Sequence, residues 1–560
     1  MKISFFVSRF ARYLKASARL SPCALRLANI LLPLLLGIYS IQNLALAQTP
    51  ELPGIDKQKY LSSAVSITLK AFEITGCTVF SRDQLTTKLQ PYFGRELNSE
   101  DLEDIRLDLT RMYIDAGYIN SGIVIPDQDV SSGILRLRAI EGALGEVRIL
   151  GAVHLRPSFI ERRLRLGAGQ PLNVPRLQQR MQRLLAESTI SQINAELQPA
   201  EQPGVGILQV AVDEGKRYTL DAELANSRNP NVGEFRFAVT GGVRNLLGWN
   251  DQWSLRLGKV EGADDFALST THPISANDTT LKLLYEKSDS LIVEEPFDVI
   301  DIRGRSKTFE ISLRYPLQVM PLHEFAIGAS LARRAHQTWL GGEAFDFSAG
   351  SHDGKSVAVA IRLTADWLSR SSVQVNSTRI TLSQGIDAFG ATINPGGVAD
   401  SRFTSLNGQW QVLRVVPDRR GEVSARAGFQ VTTAALLPQE KFGLGGKDSV
   451  RGFRENTQVR DNGWFASIEY RIPFDQDNVQ PARSRAGGWQ GLLFADGGSA
   501  WEDGDSMHDP LWSAGPGLRW QSGETTRLGL YWAALRKKVE RGDSLQDRGV
   551  HLKVELRHAF

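Results

Sequence analysis

From Lys216 to Phe560 apolar and polar residues alternate in short runs, separated by Gly, Asn, Asp and Pro. Tyr218, Leu220, Ala222 and Leu224 alternate with Thr219, Asp221 and Glu223. Trp464, Ala466, Ile468, Tyr470 and Ile472 alternate with Ser467, Glu469 and Arg471. A period of two puts the two sets on opposite faces of a sheet. A soluble β-sandwich or propeller also alternates, but here charged residues sit inside the strands without a soluble core of matching size. The pattern suits strands that show apolar residues to lipid and polar residues to a lumen, at about ten residues per crossing. Residues 215–560, at roughly 21 residues per strand and loop, predict an all-β transmembrane barrel of about 16 antiparallel strands. An even count brings both barrel ends to one side of the membrane. Trp249, Trp253, Trp464, Trp489, Trp501, Trp520 and Trp532 fall near strand ends or in the apolar rows, as interface belts do.

The N-terminus reads as an export signal over residues 1–47. Lys2, Arg9, Arg12, Lys15, Arg19 and Arg26 form a basic region, Leu27 to Ile41 an apolar core, and Ala45-Leu46-Ala47 a cleavage site before Gln48. Cys23 precedes that core, which argues against lipid attachment there. Removal of the signal leaves Cys77 alone and no internal disulfide. After Gln48 no run of about 18 apolar residues occurs, so the mature chain is expected to lack a spanning helix. The 65 basic and 62 acidic side chains nearly balance, which argues against a nucleic-acid partner; Arg536-Lys537-Lys538 reads as a solvated turn.

Residues 48–71 form a short segment in which Asp56–Lys70 is expected as one helix. Beyond it, sliding the chain by 75 residues aligns Gly76 with Gly151, Leu89 with Leu164 and Gly94 with Gly169. The same offset aligns Leu97 with Leu172, Asn98 with Asn173, Leu102 with Leu177 and Leu109 with Leu184. Residues 72–143 and 144–214 therefore read as a tandem pair of small α+β domains, each β-α-α-β-β. First helices are expected at Ser81–Leu89 and Pro157–Leu166, with Asn98 and Asn173 capping the second helices. The second helix of the first copy is apolar at Leu102, Ile105, Leu109 and Met112. Strands are expected at Ile119–Pro126 with Ile134–Ile140, and at Ile193–Pro199 with Gly206–Val212.

Counting back from Phe560 places strands near 549–560, 525–535, 512–521, 489–498, 463–473 and 423–433. In the last strand Val550, Leu552, Val554, Leu556 and Phe560 face one way, His551, Lys553, Glu555 and Arg557 the other. If that strand runs towards the periplasm, the connection between 433 and 463 lies outside. It contains Val450-Arg451-Gly452-Phe453; Phe494-Ala495-Asp496-Gly497-Gly498 lies on a following strand.

These motifs, the tandem repeats, the export signal and the C-terminal Phe together resemble two-partner secretion transporters of the filamentous haemagglutinin and haemolysin type. In that family two polypeptide-transport-associated (POTRA) domains precede the barrel. Val-Arg-Gly-Phe is similar to the family's Val-Arg-Gly-Tyr loop motif, and Phe494-x-Asp496-x-Gly498 to its strand motif. The resemblance implies that the loop enters the pore and Arg451 pairs with Asp496, a loop–barrel lock that includes Val450, Gly452, Phe453, Phe494 and Gly498. Phe560 is expected to act as a signal to the barrel-assembly machinery. The implied location is the outer membrane of a Gram-negative bacterium, in contact with its lipid and with the POTRA domains in the periplasm. The implied partner is a large secreted adhesin or haemolysin-like exoprotein. A factor that inserts other barrels is the alternative within the wider superfamily, though such factors typically carry more repeats. A porin would explain neither the repeats nor the loop.

Nothing points to an enzyme or a cofactor. His-Glu-x-x-His, Cys-x-x-Cys and Gly-x-Ser-x-Gly are absent, and the eight histidines are scattered. Gly443-Leu444-Gly445-Gly446-Lys447-Asp448-Ser449 has the wrong spacing for a nucleotide loop.

Overall fold

The computed structural model describes residues 67–560 except 188, 321, 397, 417–420, 475–486, 506–508 and 536–543. The export signal, its Ala45-Leu46-Ala47 site, Cys23 and Arg536-Lys537-Lys538 lie outside the described residues. So does most of the expected helix over Asp56–Lys70, whose end is corrected: Ile67–Thr68 is extended and pairs with Glu96–Leu97. Ile67 and Leu69 are buried and Thr68 and Lys70 exposed, a period of two that no helix produces.

The chain forms two compact units. The small unit combines the residues up to Ala71 with Pro91–Ile105 and Asp129–Leu135, and the large unit holds the rest. Four helices precede the barrel among the described residues: α1 (Arg82–Leu89), α2 (Ser99–Asp115), α3 (Pro157–Ala168) and α4 (Val174–Ala186). Ser81 and Gln84 close a reciprocal cap at the start of α1. Asn98 accepts from the Glu100 and Asp101 N–H groups at 2.9 Å, and Asn173 from the Arg176 N–H at 3.1 Å. Each leucine aligned by the 75-residue offset is buried in both copies. The apolar row of α2 continues from Leu109 to Tyr113, four residues on and fully buried, so Met112 is corrected to a half-buried flank. The strand expected at Ile119–Pro126 shortens to Gly122–Val124, because the Ser121 N–H closes a turn onto the Tyr118 carbonyl.

The second repeat carries the sheet order Ala143–Leu150, Val205–Glu214, Ile190–Pro199; the first pair is parallel and the second antiparallel. Its last strand ends in an unforeseen device. Glu214 accepts from the N–H groups of Val153, His154 and Leu155 at 2.9, 2.8 and 2.7 Å, pinning the segment that leads into α3. In the first repeat Glu141 likewise accepts from Thr78 and Val79 at 2.7 and 3.1 Å. Burial pushes both carboxyl groups up, but the donated hydrogen bonds prevail and hold them below the ordinary carboxylate range. This stabilisation is therefore complete above that range and is lost as the pH falls through the lowered folded values. Glu214→Ala, which removes the oxygen shared by all three N–H groups, is expected to cost about 1–3 kcal/mol. It should also speed amide hydrogen exchange at Val153–Leu155 in the full-length protein at neutral pH. Unchanged exchange would show that the cap contributes nothing.

The barrel is closed and antiparallel. It runs through eighteen strand segments, of which Glu343–Ala344 and Ala534–Leu535 are two-residue stubs, leaving sixteen spanning strands among the described residues. The first, Tyr218–Ala225, pairs with the last, Val550–Ala559. Before the last come Gly421–Thr432, Asn462–Pro473, Gly487–Trp501, Leu511–Ser522 and Thr526–Trp532. Leu220, Phe237, Leu257, Ile468 and Leu493 are each about half exposed or more, as a bilayer permits and water does not. Ile302–Val319 and His323–Leu340 are 18 residues each, far beyond what one crossing needs.

Turns 245–251 and 274–279 meet the second repeat. Arg163 and Arg183 reach Asp278 at 2.7 and 2.8 Å, and Thr189 hydrogen-bonds Asn250. Trp249 accordingly leaves the expected lipid belt: it packs against the second repeat's core, under Arg156 at 4.7 Å. By strand alternation, the connection from Thr432 to Asn462 lies on the side opposite the second repeat.

Candidate functional site

That connection folds into the barrel. A hairpin of Phe442–Leu444 with Gln458–Arg460 carries it inwards, and Arg451 at its far end is only 4 % exposed. The wall it meets follows from strand register. Ser467 lies opposite Asp496 and Glu469 opposite Phe494, so period two and antiparallel pairing gather all four on the inner face.

Asp496 holds Arg451 three times. Its carboxylate accepts from the Arg451 backbone N–H at 3.0 Å, from Nε at 2.7 Å and from Nη2 at 2.8 Å. Glu469 accepts from Nη1 at 2.5 Å and Ser467 from Nη2 at 3.2 Å. The Phe494 ring lies 3.7 Å from the guanidinium carbon and the Tyr531 ring 5.3 Å. A planar fork with five donors fits this set; a lysine has neither the second fork position nor the stacking plane.

The small residues of both motifs are explained by close approach. Gly452 has φ +88°, and a Cβ there would stand 2.5 Å from that of Ala533. Its N–H donates to His551 Nε2 at 2.8 Å. A Cβ on Gly498 would stand 2.7 Å from the Leu444 methyl, so the strand gives way where the loop presses on it. Val450 and Phe453 are buried with Leu444, Ala500 and Leu511. Arg451, Gly452, Val450 and Phe453 thus meet Phe494, Asp496 and Gly498 in one place. The strand of Asp496 runs past the expected 498 to Trp501, which places Asp496 well inside it. Phe560 lies apart, exchanging two backbone hydrogen bonds of 3.0 Å with Tyr218 and stacking on its ring at 5.7 Å.

Several anchors of the loop have no counterpart in the sequence reading. Arg454 grips two carboxylates at once, Asp547 at 2.6 Å and Glu294 at 2.7–2.8 Å, from two different outer connections. Glu440 receives Arg362 at 2.8 Å and Arg334 at 3.4 Å from the opposite wall. Ser467, Glu469 and His551 do belong to the polar rows of alternating strands, which marks them as inward-facing but not as partners of the loop. The glycine run before Val450 is a turn closed by the Ser449 hydroxyl, which accepts from the Gly445 N–H at 2.9 Å. Beside the loop, a cavity of about 670 Å³ is lined by charges of both signs, among them Glu223, Arg236, Arg256 and Asp265.

Residues 204–520 match the family model described as haemolysin secretion/activation protein ShlB/FhaC/HecB, and residues 67–142 match that of the ShlB-type POTRA domain. The chain is 23 % identical over 485 residues to the outer membrane transporter CdiB of Dickeya dadantii, covering 82 % of each. It is 25 % identical over 485 residues to CdiB of Escherichia coli O6:K15:H31, covering 82 % of this chain and 77 % of that one. The solved structure of CdiB from Escherichia coli superposes with a TM-score of 0.68 at 21 % identity, over 97 % of this chain and all of that one, a likeness of fold.

Proposed function

The chain belongs to the haemolysin secretion/activation family, ShlB/FhaC/HecB, and on that premise we propose that its Arg451 loop is the lock of a protein-conducting barrel. The protein is a two-partner secretion transporter of the outer membrane, with its POTRA domains in the periplasm. Those domains recognise an exported, unfolded partner protein, and the barrel passes it to the cell surface. The family is one of transporters, not of enzymes.

The observation that carries the lock is the burial of Arg451 between Asp496, Glu469 and Phe494 in the lumen. Removing either charge leaves the other stranded in a poorly solvated place, which makes such a contact decisive for loop position. The partner is proposed to be a large adhesin or haemolysin-like exoprotein. Phe560, exposed at the barrel's periplasmic end, is proposed as the residue read by the barrel-assembly machinery. The boundaries proposed are a signal to residue 47, a short segment to 71, POTRA domains at 72–143 and 144–214, and the barrel from 215.

Planar-bilayer recordings test the lock. Arg451→Ala is expected to raise the fraction of time the purified transporter conducts. Conductance identical to that of the wild type would make the loop a static brace.

A further inference from the structure

At the periplasmic rim, where the turn 245–251 meets the second POTRA domain, cations gather that no carboxylate pairs: Glu214 is taken up by the N–H groups of Val153, His154 and Leu155, and Glu187 by the Asn250 amide. Arg156 and Arg162, both exposed, stand 4.7 and 6.0 Å from the Trp249 ring. Arg156 also donates its N–H to the Gly248 carbonyl of that turn at 3.0 Å, and Arg244, which precedes the turn, donates its N–H to the Arg217 carbonyl at 2.8 Å, where Lys216 and Arg217 lead the chain into the barrel. Arg217 donates only to the carbonyls of Arg244 and Asn245, and Arg244 to that of Lys216. Among the described residues no ion pair is formed by any of the five. The turn's own carboxylate, Asp251, is occupied: it accepts from the N–H groups of Leu246, Leu247 and Trp249 and from the Trp253 indole.

In the same turn Leu246 and Leu247 are 51 % and 49 % exposed. Clustered like charges repel, and a neighbouring pair of bare leucines loses free energy in water. One molecule relieves both: acyl chains cover the leucines while a phosphate draws the guanidinium and ammonium groups, whose stems reach from apolar surface to headgroup. An acidic polypeptide or free phosphate would answer the charges and leave the leucines bare.

We infer that this rim binds the headgroup of an anionic phospholipid in the periplasmic leaflet, which holds the second POTRA domain against the membrane at the pore mouth. The inference rests on the outer-membrane placement of the barrel. Three full-length proteins test it: the wild type, Arg156→Gln/Arg162→Gln/Lys216→Gln, and Leu246→Ser/Leu247→Ser. Each is placed in nanodiscs of phosphatidylcholine with a minor share of phosphatidylglycerol, and retained lipid is counted by native mass spectrometry. The wild type is expected to retain phosphatidylglycerol over phosphatidylcholine, and the triple variant at least about fivefold less. The double leucine variant should also lose it, and added inorganic phosphate should leave wild-type retention unchanged. Equal retention by wild type and triple variant overturns the inference. So does displacement by phosphate, or loss of partner-protein binding with lipid retention intact. Heat-modifiable gel migration checks each barrel. Should the triple variant not fold, Lys216→Gln carries the test with a smaller loss, whereas failure of the wild type to enter nanodiscs would count against the barrel's placement instead.

Discussion

Asp496→Ala is expected to cut secretion of the partner protein at least tenfold while the barrel still reaches the outer membrane. The substitution removes three hydrogen bonds from Arg451 and leaves a side chain only 5 % exposed with Glu469 as its one remaining carboxylate. Breaking a buried pair from one side costs about 3–5 kcal/mol. A shift of only about 1.4 kcal/mol in the loop's equilibrium is tenfold, so the loop is expected to leave its seat in most molecules. The barrel is held by sixteen strands of backbone hydrogen bonds and should keep its heat-modifiable migration. Asp496→Glu keeps the charge but lengthens the side chain beside Glu469, and should restore secretion in part. The double variant Arg451→Ala/Asp496→Ala should be more resistant to loop proteolysis than either single variant, since neither charge is then stranded. Full secretion by Asp496→Ala would remove the loop contact from the transport mechanism.

Deleting residues 72–214 is expected to bring secretion down to the level of cells without the transporter, with the partner held in the periplasm. The two repeats have their own capped helices and buried leucines, and the second meets the barrel at turns 245–251 and 274–279. Removing them leaves strand pairing from Tyr218–Ala225 to Val550–Ala559 intact, so loss of secretion would report lost recognition rather than a lost barrel. Export at the wild-type rate without the repeats would move recognition elsewhere in the chain.

Alternation made the barrel readable, because a strand exposed to lipid on one face and to a lumen on the other must repeat every second residue. Ile468 and Glu469 show it directly: the first is 53 % exposed and the second buried in the lumen. Trp249 shows the limit. A tryptophan at a strand end reads as a lipid anchor, and only the second POTRA domain packed against it reveals another role. Met112 and Tyr113 differ by one position, and periodicity alone does not decide which of two adjacent apolar residues faces the core. Arg451 and Asp496 stand out through a resemblance of motifs. Their surroundings do not, since Glu469, Tyr531 and His551 come from three separate strands whose inner faces meet around the loop only in the folded barrel. Arg454 is still less legible: Glu294 lies 160 residues before it and Asp547 lies 93 after, in connections with no motif of their own.

The most direct test of transport through the barrel is photo-crosslinking during secretion in live cells. A crosslinking amino acid is placed at Thr240, which lines the inner cavity, or at lipid-facing Leu255. Adducts between the transporter and its partner from Thr240, and none from Leu255, are expected while secretion is under way. A secreting cell that yields no adduct from Thr240, or equal adducts from both positions, would contradict passage through the lumen.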